Sequence, residues 1–167
     1  SAASDVYKRQ LQALTAFRVD HLTDTPEQAG AYARKVTLDI CDALRVCHEN
    51  GICHRDIKPA NILCGATGDF YLGDFGVSQY TAAPDATLTS SGTARYAAPE
   101  QLTGQADPRS DLYSLGLVLY ELTNHWRGPF LPAYPAKLTA EDRYNAQCKR
   151  LAGGALPPPD NLSLIHI

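Results

Sequence analysis

The stretch from Leu112 to Leu122 limits the fold more than any other part of this chain, because it is apolar on nearly every face of a helix. A helix that is apolar all round is buried in the middle of a domain rather than lying on its surface. Asp107-Pro108 precedes the stretch, and proline at the first helical position after a capping aspartate is a common helix start. The sequence therefore predicts a domain built around one central helix that begins at Pro108.

A second, amphipathic helix is predicted earlier in the chain. The run Thr25-Pro26-Glu27-Gln28 combines a capping hydroxyl, a proline suited to the first helical position and a glutamine that can complete a capping box. Gly51 is a typical residue after a helix C-terminus. We expect this helix, 26–50, to pack against the central helix, 108–123. Its apolar stripe recurs every three or four positions, at Tyr32, Val36, Ile40, Leu44 and Cys47.

Short strands and a loop are predicted between the two helices. Ile62–Cys64 and Phe70–Leu72 flank a run of turn residues, which is typical of a β-hairpin. Residues 76–91 are rich in small polar residues with little periodicity, which predicts a loop. A polar helix is predicted over 139–149, with its first residue and Asp142 as the capping pair. The expected fold class is α+β, mainly α-helical, with a small β-hairpin.

Composition and charge exclude several classes of protein. The net charge of −3 and the pI near 5.9 argue against binding to nucleic acid or to an anionic membrane through bulk charge. No apolar run approaches the roughly 20 residues that a membrane helix needs, and the first residues lack the apolar region of a signal peptide. The five cysteines have no C-x-x-C spacing, which predicts free thiols in a reducing cytosol. We therefore expect a cytoplasmic domain without nucleic-acid or membrane contact, although its parent protein could be anchored elsewhere.

The two ends of the chain are predicted to be foreign to the protein. Asp5 to Gln10 can be encoded by a DNA string whose reverse complement encodes Leu162 to Ile167, so the two ends are two readings of one inverted sequence. Such a string resembles the transposon end used to build sequencing libraries, and coincidence is the alternative. The expected division is a non-native tail at 1–10, one domain at 11–161 and a second non-native tail at 162–167.

Three short motifs carry the chemistry. His54 to Asn61 reads H-R-D-I-K-P-A-N and matches H-R-D-x-x-x-x-N at every fixed position. Asp74-Phe75-Gly76 then supplies D-F-G, and Ala98-Pro99-Glu100 supplies A-P-E, in the expected order. On these motifs the chain resembles the protein kinase superfamily, over essentially all of residues 11–161. The resemblance implies the C-terminal lobe of a kinase catalytic domain, without its N-terminal lobe and last helices.

The resemblance also implies a phosphoryl-transfer site that uses ATP and Mg²⁺. Asp56 would accept the proton of the substrate hydroxyl as a general base, and Lys58 would place a positive charge beside the transferred phosphate. Asn61 and Asp74 would supply oxygen ligands to Mg²⁺. Leu63 would lie under the adenine ring. The alternative for the two carboxylates is an ordinary surface charge pair.

Further residues are implied to support the site. His54 and Phe75 resemble members of a hydrophobic spine that stacks through the lobe. Asp111 would anchor the backbone of the catalytic loop from the central helix; its alternative is a charge favoured by the helix dipole. Glu100 normally pairs with a distal arginine, which the resemblance places beyond the end of this sequence.

Arg55 directly precedes Asp56, and in the family this arginine often pairs with a phosphate on the activation loop. The alternative is a loop that becomes ordered without phosphate. The loop positions expected to be regulatory are Thr87, Thr89, Ser90, Ser91 and Thr93.

The substrate class is implied by two positions. Lys58, two residues after Asp56, and Gly92-Thr93 follow the serine/threonine pattern, whereas tyrosine kinases usually have Ala-Ala-Arg or Arg-Ala-Ala in place of Lys58-Pro59-Ala60. The segment 113–120 is similar to that of bacterial kinases. The expected function is ATP-dependent phosphorylation of Ser or Thr hydroxyls on protein substrates by the full-length parent. The chain alone is expected to be inactive, because no G-x-G-x-x-G loop or phosphate-binding lysine strand precedes residue 11. The alternatives are a pseudokinase or a lone lobe that acts as a protein-binding scaffold.

Overall fold

A computed structural model of the chain describes residues 12–16, 25–76, 79–80 and 95–159. Roughly half of these residues are helical, and the strands form small antiparallel sheets, so the fold is mixed α+β. The helices are α1 (Pro26–Glu49), α2 (Pro99–Leu102), α3 (Pro108–Leu122) and α4 (Ala140–Leu151).

The predicted start of the amphipathic helix α1 is confirmed. The backbone N–H of Gln28 donates to Thr25 Oγ1 (3.4 Å), and the backbone N–H of Thr25 donates to Gln28 Oε1 (2.9 Å). These reciprocal bonds are a capping box, which satisfies backbone donors that a helix N-terminus otherwise leaves unpaired. Gly51 follows the helix with φ of 73°, a left-handed conformation that glycine adopts without steric cost.

The strands are β1 (Gln12–Ala13), β2 (Ile52–Cys53), β3 (Ile62–Cys64), β4 (Phe70–Leu72) and β5 (Gln79–Tyr80). The predicted hairpin is confirmed as β3–β4, with Leu63 opposite Tyr71. The sheet has a third strand, because β1 pairs with β3 on the other side. A separate antiparallel pair, β2–β5, was also not predicted, and it makes the loop assignment of residues 79–80 wrong. Strands of two residues are too short for alternation to reveal them.

The core lies where α1 packs against α3, as the sequence predicted. Val36, Ile40 and Leu44 project from α1 into one buried cluster. Leu115 and Val118 of α3 belong to the same cluster. Burial of these branched side chains provides the main driving force for the lobe, at roughly 1.5–3 kcal/mol for each fully buried side chain.

The predicted burial of the central helix α3 is confirmed except on one side. Leu112 is 50% exposed, and Gly116, one turn further along, is exposed as well. These two positions share one side of the helix, and within the described part of the chain no element covers that side. Apolar composition showed that the helix is central but not which side remains open.

An ion network ties the hairpin to α1. Lys35 Nζ donates to Asp39 Oδ1 (2.9 Å) and to Asp69 Oδ1 (2.8 Å). The other oxygen of Asp39 accepts the backbone N–H of Phe70 (2.8 Å). The network therefore fixes the start of β4 against the helix, and β4 leads directly into the D-F-G motif.

None of the helices that the structure describes is long and apolar enough to cross a membrane. The predicted tails, 1–10 and 162–167, lie outside the described residues, as do residues 81–91 of the predicted loop.

Candidate active site

The backbone of the catalytic loop is held by Asp111, which lies in the first turn of α3 and is 1% exposed. Its Oδ1 accepts the backbone N–H of Arg55 (2.7 Å), and its Oδ2 accepts the backbone N–H of His54 (2.9 Å). His48 Nε2 also lies 2.8 Å from Asp111 Oδ2. Arg55 has φ of 65°, a region that costs a non-glycine residue about 1–3 kcal/mol. The two hydrogen bonds to a buried carboxylate offset that strain.

Gln101 holds the next peptide group of the catalytic loop, the one between Arg55 and Asp56. Its Nε2 donates to the carbonyl oxygen of Arg55 (3.0 Å), and its Oε1 accepts the backbone N–H of Ala98 (2.8 Å). The side chain is buried, so these bonds are shielded from water. Sequence reasoning missed Gln101, although its position directly after A-P-E was an available signal.

Asp56, Lys58 and Asn61 meet in one hydrogen-bonded group. Lys58 Nζ donates to Asp56 Oδ2 (2.7 Å), and Asn61 Nδ2 donates to the same oxygen (2.9 Å) and to the Asp56 carbonyl (2.8 Å). The short 3₁₀ turn Pro59–Asn61 brings the asparagine back to the aspartate. Since both side-chain donors bind Oδ2, Oδ1 is left as the oxygen that can accept a further donor.

The D-F-G motif is attached to the catalytic loop through Gly73. The backbone N–H of Gly73 donates to the Asn61 carbonyl (2.8 Å), and His54 Nε2 lies 3.0 Å from the Gly73 carbonyl. His54 Nδ1 accepts the backbone N–H of Asp56 (3.3 Å), so Nε2 carries the hydrogen and donates to Gly73. Phe75 then packs edge-on against the His54 ring, with centroids 4.7 Å apart. The two predicted spine residues are therefore in contact.

Asp74 directly follows Gly73 in the chain, and its carboxylate makes no hydrogen bond to Asp56, Lys58 or Asn61. Its Oδ1 accepts the backbone N–H of Gly76 (3.2 Å), and its carboxylate is exposed. Leu63 lies beside Gly73, where an added Cβ would come within 2.9 Å of Leu63 Cδ1. Glu100 accepts a hydrogen bond from Ser110 Oγ (2.7 Å). The predicted regulatory positions lie outside the described residues: Thr87, Thr89, Ser90, Ser91 and Thr93.

His48, Cys53 and Asp111 form a group whose potential metal-ligand atoms lie within 4.8 Å of one another. The Asp111 carboxylate already accepts hydrogen bonds from two backbone N–H groups and contacts His48. Burial raises the pKa of the neighbouring Cys47 thiol, with a smaller contribution from Asp111. We interpret the group as a hydrogen-bonded anchor, and the oxygens of Asn61 and Asp74 are better suited to Mg²⁺.

A second network that sequence reasoning missed fixes the segment before A-P-E. The buried carboxylate of Glu121, near the end of α3, is paired with the guanidinium of Arg95 and accepts the Tyr96 hydroxyl (2.8 Å). From α4, Arg150 Nη1 donates to the Ala97 carbonyl (2.9 Å). These contacts join three elements that are far apart in sequence, so no local pattern pointed to them.

Comparison with known proteins identifies the family that the three sequence motifs indicated. A model of the protein kinase domain matches residues 10–148. The chain belongs to the protein kinase family. Members of this family generally use ATP and Mg²⁺ and act on proteins. Over 95 residues the chain is 47% identical to the serine/threonine-protein kinase PknB of Mycobacterium tuberculosis, covering 54% of this chain and 15% of that protein.

A second relative has a longer match. The serine/threonine-protein kinase drp72 of Corynebacterium efficiens is 41% identical over 124 residues, which cover 70% of this chain and 24% of that protein. This kinase chain is therefore homologous to bacterial serine/threonine kinases over part of its length. It spans less than a quarter of either relative.

Proposed function

We propose that the full-length parent of this chain transfers the γ-phosphoryl group of ATP to Ser or Thr hydroxyls of protein substrates. The observation that carries the proposal is the Asp56 carboxylate, which is oriented by Lys58 and Asn61 on a loop that Asp111 holds from the core. Phosphoryl transfer depends mainly on positioning and electrostatics, and this arrangement supplies both.

Asp56 is the proposed general base. Its Oδ2 is occupied by the two side-chain donors, so Oδ1 accepts the hydrogen of the substrate hydroxyl and takes its proton as the new O–P bond forms. Such a base contributes about 10²–10⁴-fold to the rate. Lys58 lies within hydrogen-bond distance of the same carboxylate, where its ammonium group balances the negative charge of the phosphate being transferred.

Asn61 and Asp74 are the proposed ligands for Mg²⁺. The Asn61 amide nitrogen donates to Asp56, so the amide oxygen remains for a cation. The Asp74 carboxylate is exposed, and the preceding residue, Gly73, is hydrogen-bonded to the Asn61 carbonyl. Amide and carboxylate oxygens are the ligands that Mg²⁺ prefers, so the residues present fit this ion. When bound, Mg²⁺ neutralises phosphate charge. Leu63, half-buried on β3, is the proposed floor of the adenine site.

Serine/threonine specificity is supported by Lys58, by Gly92-Thr93 and by the printed names of the relatives, which are serine/threonine kinases. Arg55 is the proposed partner of a phosphate on the loop that contains Thr87 and Thr89. We further propose that the kinase domain acts in the cytoplasm.

The 167-residue chain alone is expected to be inactive, because no phosphate-binding glycine loop or lysine strand is present to hold the γ-phosphate in line. The apolar rings of Phe75 and Tyr71, 46% and 40% exposed, lie open near the site. The test is transfer of radiolabelled phosphate by the chain and by a parent restored with its N-terminal lobe. Phosphoamino-acid analysis of the product should give phosphoserine or phosphothreonine from the restored parent alone. Phosphotyrosine would contradict the assigned specificity, and an inactive restored parent would favour the pseudokinase or scaffold alternative.

A further inference from the structure

Three side chains of different chemistry meet at the start of the catalytic loop: His48, Cys53 and Asp111. They come from the last turn of α1, from β2 and from the first turn of α3. One potential ligand atom of each lies within 4.8 Å of the other two, and within the described part of the chain no other three His, Cys, Asp or Glu side chains form such a group. None of the three is assigned to phosphoryl transfer, so the group is separate from the proposed chemistry.

The donor set of this group suits a softer cation than Mg²⁺. Zn²⁺ binds thiolate sulfur, imidazole nitrogen and carboxylate oxygen, usually in tetrahedral geometry, whereas Mg²⁺ requires oxygen ligands and keeps several waters. Cys53 and His48 supply the sulfur and the nitrogen, and Asp111 supplies the oxygen. A set of this composition therefore selects Zn²⁺ over the Mg²⁺ that the catalytic site is proposed to use.

The distances in the group fit the size of this ion. Bonds of about 2.0–2.3 Å place tetrahedral ligand atoms about 3.5 Å apart. His48 Nε2 and Asp111 Oδ2 are 2.8 Å apart, and all three ligand atoms lie within 4.8 Å of one another, so shifts of about 1 Å are enough. The ion takes the place of the hydrogen between His48 and Asp111 Oδ2, so the two backbone N–H groups bound by this carboxylate keep their acceptor oxygens.

Charge and access also favour binding. The Cys53 thiol releases its proton to solvent as the Zn–S bond forms, His48 binds through Nε2 with its hydrogen on Nδ1, and water completes the fourth position. The thiolate and the Asp111 carboxylate together neutralise the double positive charge, which lowers the cost of burying the ion. Cys53 and Asp111 are 0% and 1% exposed, but the His48 side chain is 17% exposed, so the ion enters from the His48 side.

We propose that His48, Cys53 and Asp111 form a Zn²⁺ site that links α1, β2 and α3 at the base of the catalytic loop. Cys53 directly precedes the H-R-D motif, and Asp111 holds the backbone of that motif. The ion joins His48 to a residue 63 positions away, so it stabilises the folded lobe by mass action. The inference goes beyond the proposed function, because neither binding nor stabilisation requires phosphoryl transfer.

Cobalt absorption tests the ligand set. Co²⁺ replaces Zn²⁺ in tetrahedral sites and gives a sulfur-to-metal charge-transfer band when a thiolate binds it. The reduced 167-residue protein is titrated with Co²⁺, and the band should saturate at a single equivalent. Zn²⁺ should then remove the band, and Mg²⁺ in about a thousandfold excess should not. Absence of a thiolate band, or its loss with Mg²⁺, would overturn the proposal.

A matched pair of cysteine substitutions locates the ion. Cys53→Ala should abolish the band, whereas Cys64→Ala should leave it unchanged, because Cys64 is also buried but lies on β3, outside the group. His48→Gln keeps a hydrogen-bond donor toward Asp111 but removes the imidazole, and it should weaken Co²⁺ binding by about tenfold or more. Equal bands from the two cysteine variants would mean binding at another thiol, such as the exposed Cys148, and would overturn the assignment.

Urea denaturation gives a readout that does not depend on absorption. Zn²⁺ at about 100 times its dissociation constant should raise the wild-type midpoint by roughly 1 M, and the rise should be absent in Cys53→Ala. His48→Gln at the same Zn²⁺ concentration should show a smaller rise, and it remains informative if Cys53→Ala does not fold. An equal rise in the wild type and His48→Gln would contradict the site. An inactive restored parent would refute the kinase activity and leave these binding results unaffected.

Discussion

Replacing Asp111 with alanine is expected to destabilise the lobe far more than any exposed substitution on the same helix. The change removes the acceptor for two buried backbone N–H groups, those of His54 and Arg55. An unsatisfied buried donor costs about 1–3 kcal/mol, so two of them cost about 4 kcal/mol together. That is a large part of the roughly 5–15 kcal/mol by which a domain is normally stable.

Urea denaturation followed by circular dichroism measures this cost. With a slope of about 2 kcal/mol per molar urea, the midpoint should fall by about 2 M. Asp111→Asn keeps one acceptor oxygen, so its urea midpoint should fall by about half as much as that of Asp111→Ala. If the alanine variant does not fold, the asparagine variant still gives a measurable transition.

Leu112→Ala is the matched control, because Leu112 is the next residue of α3 and is half exposed. It should cost about 0.5 kcal/mol or less. A midpoint for Asp111→Ala within about 0.5 M of the wild type, or equal to that of Leu112→Ala, would show that Asp111 does not hold the loop.

Two further predictions concern stability. Gln101→Met conserves side-chain volume but leaves the Arg55 carbonyl without its side-chain donor. We expect the free energy of unfolding, measured by urea denaturation, to fall by about 1–3 kcal/mol. An unchanged urea midpoint would contradict the role of Gln101 in holding the loop. Hydrogen bonds from three partners lower carboxyl pKa values: Lys35 acts on Asp69, Arg109 on Asp107 and Thr139 on Asp142. The stability that these contacts provide is fully present above the usual carboxyl pKa. It is lost as the pH falls through the lowered pKa values of the folded protein. The urea midpoint should therefore decrease as the pH is lowered from about 5 to about 2. A midpoint that stays constant over that interval would contradict these hydrogen bonds and ion pairs.

The helix starts could be predicted because their signals are local. Thr25, Asp107 and Thr139 each cap a helix whose third residue completes a capping box, and such a pattern spans only four residues. The exposure of Leu112 could not be predicted, because it depends on what packs beside α3. The β2–β5 pair was missed because two-residue strands carry no periodic signal.

In the candidate site too, contacts that are local in sequence could be predicted and long-range contacts could not. Asp56, Lys58 and Asn61 lie within six positions of one another, so a contiguous motif was enough to place them together. Gln101 and Arg150 act on backbone groups 46 and 53 residues away. Contacts of that separation depend on the packing of α2 and α4, which no single local pattern describes.

The central claim is that Asp56 is the base of a working kinase, and its most direct test is the kcat of the restored parent with Asp56→Asn. Asparagine keeps the shape of the side chain but accepts no proton, so kcat should fall by about 10²–10⁴-fold. The KM for ATP should change little, because the proposed ATP and Mg²⁺ contacts come from other residues. The purified variant should unfold at the wild-type urea concentration to within about 0.5 M. A variant that folds and retains kcat within about tenfold of the wild type would contradict the account.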